Sequence, residues 1–254
     1  MLRLVEARRG RFLALDTDAY VGKSLIELGE YGEEQSLLFD KLLKPEAVVV
    51  EVGSNIGAHT VGLAKKARMV HAFEPQRRLF HILCGNVALN ELDNVNCYRI
   101  AAGENRETVD ITVLDFDCQD NNTGSFSLDS PGPRLDWVEV VPISIACDFL
   151  KIDVEGWEAK VLKGASSMIK SCKPVMYIEN DRVKKSDELI GLVNGLGYKA
   201  YWHVTNLFNS KNKNGVTKDP FGFAVSIDML CLPKDIKFDG MPEAKIGQRP
   251  AIHE

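Results

Sequence analysis

The stretch AVVVEVGSNIGAHT, residues 47–60, decides the fold. Residues 47–52 are rich in β-branched side chains, which is typical of a strand buried on both faces of a parallel sheet. Two glycines follow, Gly53 and Gly57, and the chain then continues as a helix. Small residues at such a junction let a ligand approach the backbone, and the start of a helix offers free N–H groups. The stretch therefore predicts a ligand site at the carboxyl end of a buried strand.

Strand and helix patterns alternate along the rest of the chain. Strands that alternate with helices of ordinary length indicate parallel pairing through crossover connections. The predicted fold class is therefore α/β, with a doubly wound, mostly parallel sheet. The predicted strands are residues 69–74, 95–101, 149–154, 175–179, 198–204 and 225–232, and the predicted helices are residues 77–90, 157–170 and 187–196.

Three segments lie outside this alternation. Residues 1–45 predict a hairpin that turns near Gly10 and then a helix over residues 33–43, both packed on the core. An inserted β-hairpin is predicted where two apolar/polar alternating segments, residues 109–114 and 138–145, are joined by a polar connection. Residues 233–254 have no periodic apolar face, which predicts a surface tail. The core domain then spans residues 46–232.

Composition and charge exclude some classes of partner. The 254 residues include 31 Lys and Arg against 36 Asp and Glu, a net charge of −5, without the basic excess expected of a nucleic-acid binder. The longest run without a charged residue, 52–64, is shorter than the roughly 18 residues that span a bilayer. The first residues are charged and lack the apolar centre of a signal peptide. We therefore expect a cytoplasmic location, with neither a membrane nor nucleic acid as partner.

Acidic side chains follow or end four predicted strands: Glu51, Glu74, Asp153 with Glu155, and Glu179. The carboxyl ends of parallel strands meet at one edge, where ligands of such sheets bind. Glu74 lies about twenty residues beyond the first motif, at the position where an acidic side chain binds ribose hydroxyls. The first motif reads E-x-G-x-x-x-G and not the G-x-G-x-x-G of pyrophosphate binders. An amino-acid-bearing nucleoside therefore fits this edge better than a diphosphate.

Six segments together resemble the FkbM family of class I S-adenosylmethionine-dependent methyltransferases: EVGSNIGAHT, HAFEP, NVALN, IAAG, NTGSFSL and KIDVEGWEAKVLKGA. The resemblance covers roughly residues 20–232. It implies a Rossmann-like sheet of seven strands, S-adenosyl-L-methionine as cofactor, and O-methylation of a hydroxyl on a sugar or another small molecule. It also implies a set of cofactor-binding residues, namely Glu51, Gly53, Ser54, Asn55, Gly57, Thr60, Glu74, Pro75, Ala102 and Asp153.

Methyl transfer to oxygen requires alignment of the acceptor hydroxyl and a group that accepts its proton. The candidates for this base are Asp153, Glu155, Glu179 and His203. Asp153, Glu179 and Asn180 also resemble the Mg²⁺-binding acidic set of catechol-type methyltransferases. Acidic clusters at this edge are common without a metal, and we predict none here. The expected partner is a small-molecule or glycan hydroxyl acceptor.

Two other functions fit the same residues. An NAD-type oxidoreductase would share Glu74 and the fold, but the missing G-x-G-x-x-G motif counts against it. A non-catalytic S-adenosylmethionine-binding module would have the same fold and cofactor site, because neither proves turnover.

One connection departs from the resembled fold, in which the third strand crosses back over the first two, usually through a helix. Here the chain runs from the inserted hairpin into the next strand with Ala146 and Cys147 as the only spare residues. Parallel crossovers normally need about a dozen residues. Either the hairpin makes the return itself, or residues usually found near positions 145–148 are absent from this chain.

Overall fold

The computed structural model describes residues 1–113 and 135–251. Its helices and strands follow one another in a fixed order that begins with a hairpin and ends with two long strands. In chain order they are β1 (Leu2–Ala7), β2 (Gly10–Leu15), α1 (Val21–Glu27), α2 (Glu33–Leu42), β3 (Val48–Val52), α3 (Thr60–Ala64), β4 (Met69–Phe73), α4 (Arg77–Leu89), β5 (Val95–Tyr98), β6 (Ala101–Ala102), β7 (Glu107–Thr112), β8 (Leu135–Val141), β9 (Phe149–Ile152), α5 (Glu158–Cys172), β10 (Val175–Glu179), α6 (Val183–Gly195), β11 (Tyr198–Asn206) and β12 (Val225–Pro233).

Seven of these strands form one sheet in the order β11-β12-β10-β9-β3-β4-β5. β12 pairs antiparallel with both of its neighbours, and the other pairs are parallel. The predicted doubly wound, mostly parallel sheet of seven strands is thus confirmed. β3 and β9 lie side by side at its centre, and the strand order runs outward from them in both directions. Their carboxyl ends therefore form the switch point at which such sheets bind ligands.

The sheet is covered on both faces, as its continuous apolar strands predict. On one face Val50 and Leu150 pack against α5 and α6 through Leu162 and Ile190. On the other face Val49 and Phe149 pack with Phe39 of α2 and Leu63 of α3. Each such buried side chain contributes roughly 1.5–3 kcal/mol relative to exposure. This two-sided burial holds the strand ends rigidly in place.

The N-terminal extension, residues 1–45, contains the predicted hairpin and the predicted helix. β1 and β2 pair antiparallel, and Asn86 of α4 fixes the hairpin by accepting the N–H of Leu13 at 2.6 Å. A second helix, α1, was not predicted from the sequence. It is only seven residues long, contains Gly22 and buries Ser24, so it has too few turns to show an apolar period.

The return from β5 to β9 is made by a second, smaller sheet. The prediction of a single strand over residues 95–101 is wrong. These residues divide into β5, which belongs to the main sheet, and β6, which belongs to a three-stranded sheet of order β6-β8-β7. β7 and β8 are the predicted inserted hairpin, and their connection, residues 114–134, lies outside the described residues. Residues 142–148 then lead from β8 directly into β9 without a helix. In this structure the smaller sheet itself makes the return to β9, and the second of the two alternatives stays untested.

The segment after Pro233 is packed against the sheet, which differs from the predicted surface tail. Trp202 donates its N–H to the carbonyl of Pro242 at 2.8 Å, and Ala244 donates to the carbonyl of Ala200 at 2.8 Å. Ala244 is buried. The segment lacks apolar periodicity because it is held by these backbone bonds at the outer edge of β11.

Within the described residues, none of the helices combines the length and the apolar character that crossing a bilayer requires. The cytoplasmic location expected from the sequence stays a prediction.

Candidate cofactor and acceptor site

A pocket of about 330 Å³ opens at the carboxyl ends of β3, β4, β9 and β10. Its volume falls within the range of roughly 300–1,000 Å³ that is typical of small-molecule sites. Of the residues expected to contact a cofactor, most line this pocket: Glu51, Gly53, Ser54, Asn55, Glu74, Pro75, Ala102 and Asp153. Gly57 and Thr60 are not among its lining residues.

Gly53 ends β3 in a conformation that only glycine adopts easily. Its φ is +84°, and a Cβ atom there would lie 1.7 Å from the carbonyl oxygen of Asp153. The missing side chain thus lets the ends of β3 and β9 approach each other closely. Gly57 also has a φ of +84° and shapes the same loop from behind, where a Cβ would meet Leu83 at 2.8 Å.

Glu74 is buried at the carboxyl end of β4 and joins two loops. Its carboxylate accepts the backbone N–H of Asn55 and that of Gln76, each at 2.8 Å. Burial raises the pKa of Glu74 to about 7, although these two N–H groups favour the charged form. Each carboxylate oxygen has a second lone pair, so Glu74 can accept further hydrogen bonds from a ligand in the pocket.

An ion set in the wall of the pocket consists of the buried Glu51 and Lys151 and the partly exposed Asp153. The Lys151 ammonium lies 2.9 Å from Oδ2 of Asp153 and 3.8 Å from Oε1 of Glu51. Burial lowers the pKa of Lys151, but the two carboxylates outweigh this effect and raise it above its usual value. Glu51 also accepts the hydroxyl of Thr60 at 2.5 Å, and burial raises its pKa. Thr60 therefore acts through Glu51 rather than at the pocket surface.

Three carboxylates gather at the carboxyl ends of β9 and β10. Asp153, Glu155 and Glu179 each place one oxygen within 4.8 Å of the others. Arg182 donates to Glu155, as Lys151 does to Asp153. The buried Oε2 of Glu179, in contrast, has no hydrogen-bond partner in the part of the chain that the structure describes.

The chemistry of these three carboxyl groups follows from burial and mutual repulsion. Burial, and then the charge of Asp153, raise the pKa of Glu155 to about 8. The same two causes raise the pKa of Glu179 well above its usual value. Their oxygens are ligands suited to Mg²⁺. Because cations of the chain already pair with two of the three groups, we assign no metal to them, and the absence of a metal stays a prediction.

His203 lies away from this cleft and is not among the described residues that line it. Its Nδ1 is 2.8 Å from the hydroxyl of Tyr177, and the two rings meet edge to face. The role of His203 as a base therefore stays a prediction. β11 continues to Asn206, so His203 lies three residues before the strand end.

Sequence reasoning missed two polar residues of the site, His59 and Lys151. His59 donates from Nε2 to Oε1 of Gln35 at 3.1 Å, and its Nδ1 lies 3.3 Å from the Ser36 hydroxyl. Burial, assisted by the charge of Lys151, lowers the pKa of His59 well below its usual value, so the ring is neutral. The signal for Lys151 was visible, because a lysine inside an otherwise apolar buried strand needs a paired charge.

A seven-stranded sheet of this order, with a carboxylate-lined pocket at its switch point, is a Rossmann-like α/β fold. The sequence profile of the methyltransferase FkbM domain matches residues 51–200. The chain therefore belongs to the FkbM methyltransferase domain family, and S-adenosylmethionine is the cofactor that this membership implies.

Three known proteins show how far the similarity extends. A tRNA(Phe) (4-demethylwyosine(37)-C(7)) aminocarboxypropyltransferase of Methanocaldococcus jannaschii is 35% identical over 77 residues, which is 30% of each chain. The structure of an FkbM methyltransferase from Methylobacillus flagellatus KT has a TM-score of 0.46 at 18% identity, covering 76% of this chain and 47% of that one. A precorrin-6y C5,15-methyltransferase from Geobacter metallireducens GS-15 has a TM-score of 0.52 at 13% identity, covering 79% of this chain and 88% of that one. The chain thus spans less than half the length of the first two.

The residues of the pocket fit S-adenosylmethionine. Gly53 removes the side chain that would otherwise fill the space between β3 and β9. Glu74 is buried at the pocket and keeps lone pairs for the two hydroxyls of a ribose. Glu51 and Asp153 supply negative charge for a ligand that carries an ammonium and a sulfonium group. The acidic donor set therefore suits a cationic nucleoside better than a diphosphate.

Proposed function

We propose that the protein transfers a methyl group to a hydroxyl of an uncharged small molecule, such as a sugar. The observation that carries this proposal is the charge of the pocket. Six carboxyl groups line it, against the two cations Lys151 and Arg182: Glu51, Glu74, Asp153, Glu155, Glu179 and Asp181. Both cations are already paired with carboxylates, so the described lining offers no free cation to a phosphate backbone, whereas a neutral hydroxyl acceptor needs none.

Glu74 would hold the ribose hydroxyls, and the loop at Gly53 with Ser54 and Asn55 would hold the amino-acid end of the cofactor. When bound, S-adenosylmethionine supplies an electrophilic methyl group. The pocket residues then need only to bind the acceptor, orient its hydroxyl and exclude water. Orientation of this kind can supply roughly 7–11 kcal/mol of a barrier.

Glu179 is the proton acceptor in this proposal. Asp153 and Glu155 each accept a hydrogen bond from a cation, Lys151 and Arg182, which occupies one of their oxygens. Glu179 has an unpartnered buried oxygen and a raised pKa, so its carboxylate is a stronger base than an ordinary one. Asp153 then orients the acceptor beside it.

Replacing Glu179 by glutamine, which is similar in shape but uncharged, tests the assignment of the base. For Glu179→Gln we expect turnover to fall about 10²- to 10⁴-fold, with unchanged affinity for S-adenosylhomocysteine, because a general base acts mainly in the transition state. Wild-type turnover should rise with pH through a pKa above about 4.3, the ordinary value for Glu, and this limb should be absent from Glu179→Gln. Glu188→Gln, on the exposed face of α6, is the matched control. Full turnover of Glu179→Gln would exclude Glu179 as the base.

The acceptor class is tested by transfer of a labelled methyl group to a panel of methyl glycosides, with bulk tRNA as a separate arm. Label in the glycosides alone supports the proposal. Label in the tRNA would overturn the small-molecule proposal in favour of a tRNA substrate, the class named for the Methanocaldococcus relative. Binding of S-adenosylhomocysteine with no transfer to either arm would favour a binding module, and binding of NADH instead would favour an oxidoreductase.

A further inference from the structure

One side of the pocket is built by residues outside the segment 51–200 that matches the family. This outer wall consists of Tyr20, Val21 and Tyr31 from the N-terminal extension and of Leu207, Ala224 and Val225 from the end regions of β11 and β12. The rest of the lining includes Glu74 and the loop at Gly53. The matched segment thus supplies the cofactor residues, and the flanking segments supply the remaining wall.

A single buried carboxylate joins the two parts of the outer wall. Glu30 accepts Nε of Arg8 at 2.7 Å, the side-chain amide of Asn209 at 2.7 Å and the backbone N–H of Lys213 at 3.1 Å. Arg8 also donates to the carbonyl of Lys211 at 2.6 Å. The side chain of Glu30 is only 3% exposed, so these bonds form where water does not compete effectively. We call this group, Arg8, Glu30, Asn209 and Lys213, the Glu30 clamp.

Further contacts follow the same seam between the extension and the connection from β11 to β12. Asn214 donates its N–H to the carbonyl of Leu28 at 3.1 Å. Tyr20 stacks on Phe221 with ring centroids 6.4 Å apart. Lys23 donates to the carbonyl of Pro220 at 2.9 Å. A connection of 18 residues between two strands is thereby fixed against the extension at both its middle and its end.

The outer wall has the chemistry of a site for a neutral ring. Among the described residues that form it, the side chains are aromatic or aliphatic, and none is a cation. The ring of Tyr31 lies 5.3 Å from that of His59, which is neutral, and Ser226 adds a hydroxyl at the same rim. Aromatic faces with a few fixed polar groups are the usual lining of sites that select small molecules by shape.

We infer that the outer wall is the acceptor subsite for an uncharged, polyhydroxylated ring, and that Glu30 is its positioning residue. This inference rests on the proposed function, since it takes the acceptor to be a hydroxyl compound. Glu30 does not line the pocket itself. It acts by holding the connection between β11 and β12 against the extension, so that both halves of the wall are in place before the acceptor arrives.

The test compares Glu30→Gln with Glu33→Gln. Glu33 is also ion-paired in the N-terminal extension, to Arg9 at 3.0 Å and more distantly to Arg8 at 4.0 Å, but among the described residues it has no bond to the β11–β12 connection. For Glu30→Gln we expect the hydrogen-exchange rate of the backbone amides in residues 207–216 to rise about tenfold. The single oxygen of the glutamine amide cannot accept hydrogen bonds from all three donors that Glu30 binds. The KM for the best-methylated glycoside should rise about tenfold while kcat stays within about threefold. Glu33→Gln should change neither quantity.

Cofactor affinity separates the two proposals. Calorimetry with S-adenosylhomocysteine should give the same affinity for wild type, Glu30→Gln and a second variant, Asn209→Ala, which removes one donor of the clamp from the other side. Unchanged exchange in both variants, or a loss of cofactor affinity in step with the rise in KM, would overturn the role of Glu30. If wild type methylates no glycoside, the proposed function and the acceptor class are wrong. The exchange data then still decide whether Glu30 holds the wall.

Discussion

Replacement of Lys151 by Met should destabilise the protein strongly, because it removes the cation from the buried ion set. At an effective dielectric constant of about 20, two unit charges about 4 Å apart attract by roughly 4 kcal/mol. Lys151 has two such partners, at 2.9 Å and 3.8 Å, and burial costs offset part of the gain. Removing one member of a buried pair typically costs about 3–5 kcal/mol. At roughly 2–4 °C per kcal/mol for a domain of this size, we expect Tm to fall by about 6–20 °C.

The effect should depend on pH in a defined direction. Burial already raises the pKa of Glu51, and loss of Lys151 raises it further. A raised carboxyl pKa contributes stability that is fully present below the ordinary value of about 4.3 and is lost as the pH rises through the raised one. The deficit of Lys151→Met should therefore be smallest near pH 5 and largest near pH 8.

Unfolding in urea and by heat, at both pH values, measures the deficit. Lys163→Met is the matched control, since Lys163 pairs with Glu188 at 3.0 Å on the surface and should matter by less than about 1 kcal/mol. Adding Glu51→Gln to Lys151→Met should restore part of the stability by removing the unpaired charge. Equal stability of the two lysine variants, or a deficit that grows towards low pH, would refute the account of the ion set.

Two further changes test the cofactor half of the pocket. Gly53→Ala should abolish detectable S-adenosylhomocysteine binding in calorimetry, because its Cβ would lie 1.7 Å from the carbonyl oxygen of Asp153. Gly195→Ala, with open space around its Cβ, is the control and should bind normally. Intact binding by Gly53→Ala would contradict the close approach of β3 and β9. Wild-type affinity for S-adenosylhomocysteine should weaken as the pH falls through about 7, where Glu74 takes up a proton. Glu74→Gln should bind about tenfold more weakly than wild type at pH 8, and its affinity should not change with pH in this range. Glu104→Gln, at an exposed position, is the control. A pH-independent wild type would remove Glu74 from the proposed ribose contact.

The sequence predicted the parts of the fold whose signals are local and periodic. The β-branched run before Gly53 and the acidic residues at strand ends were enough to place Glu51, Glu74 and Asp153 at one edge, because parallel strands in this order leave no other arrangement. Helices such as α5 were predicted within two residues for the same reason. The roles of these residues in binding remain predictions.

The parts that were not predicted depend on distant contacts. His203 lies within β11, which pairing with β12 extends to Asn206, and its ring is 2.8 Å from the Tyr177 hydroxyl rather than in the lining of the pocket. α1 has too few turns to show a period, and its position depends on packing against β2. The outer wall is formed by segments nearly two hundred residues apart, joined through Glu30 and Asn209. No local pattern in the sequence reports such a bond.

The backbone bonds between residues 242–244 and β11 have a consequence for how the molecules behave at high concentration. β11 is the last strand on its side of the sheet, and an open strand of nine residues would present a row of free N–H and C=O groups to any passing chain. The bonds at Ala200 and Trp202, with the bridge from Tyr201 to Glu243, occupy that row at residues 200–202. This segment therefore protects the protein against adding a foreign strand, which is how intermolecular sheets and aggregates begin.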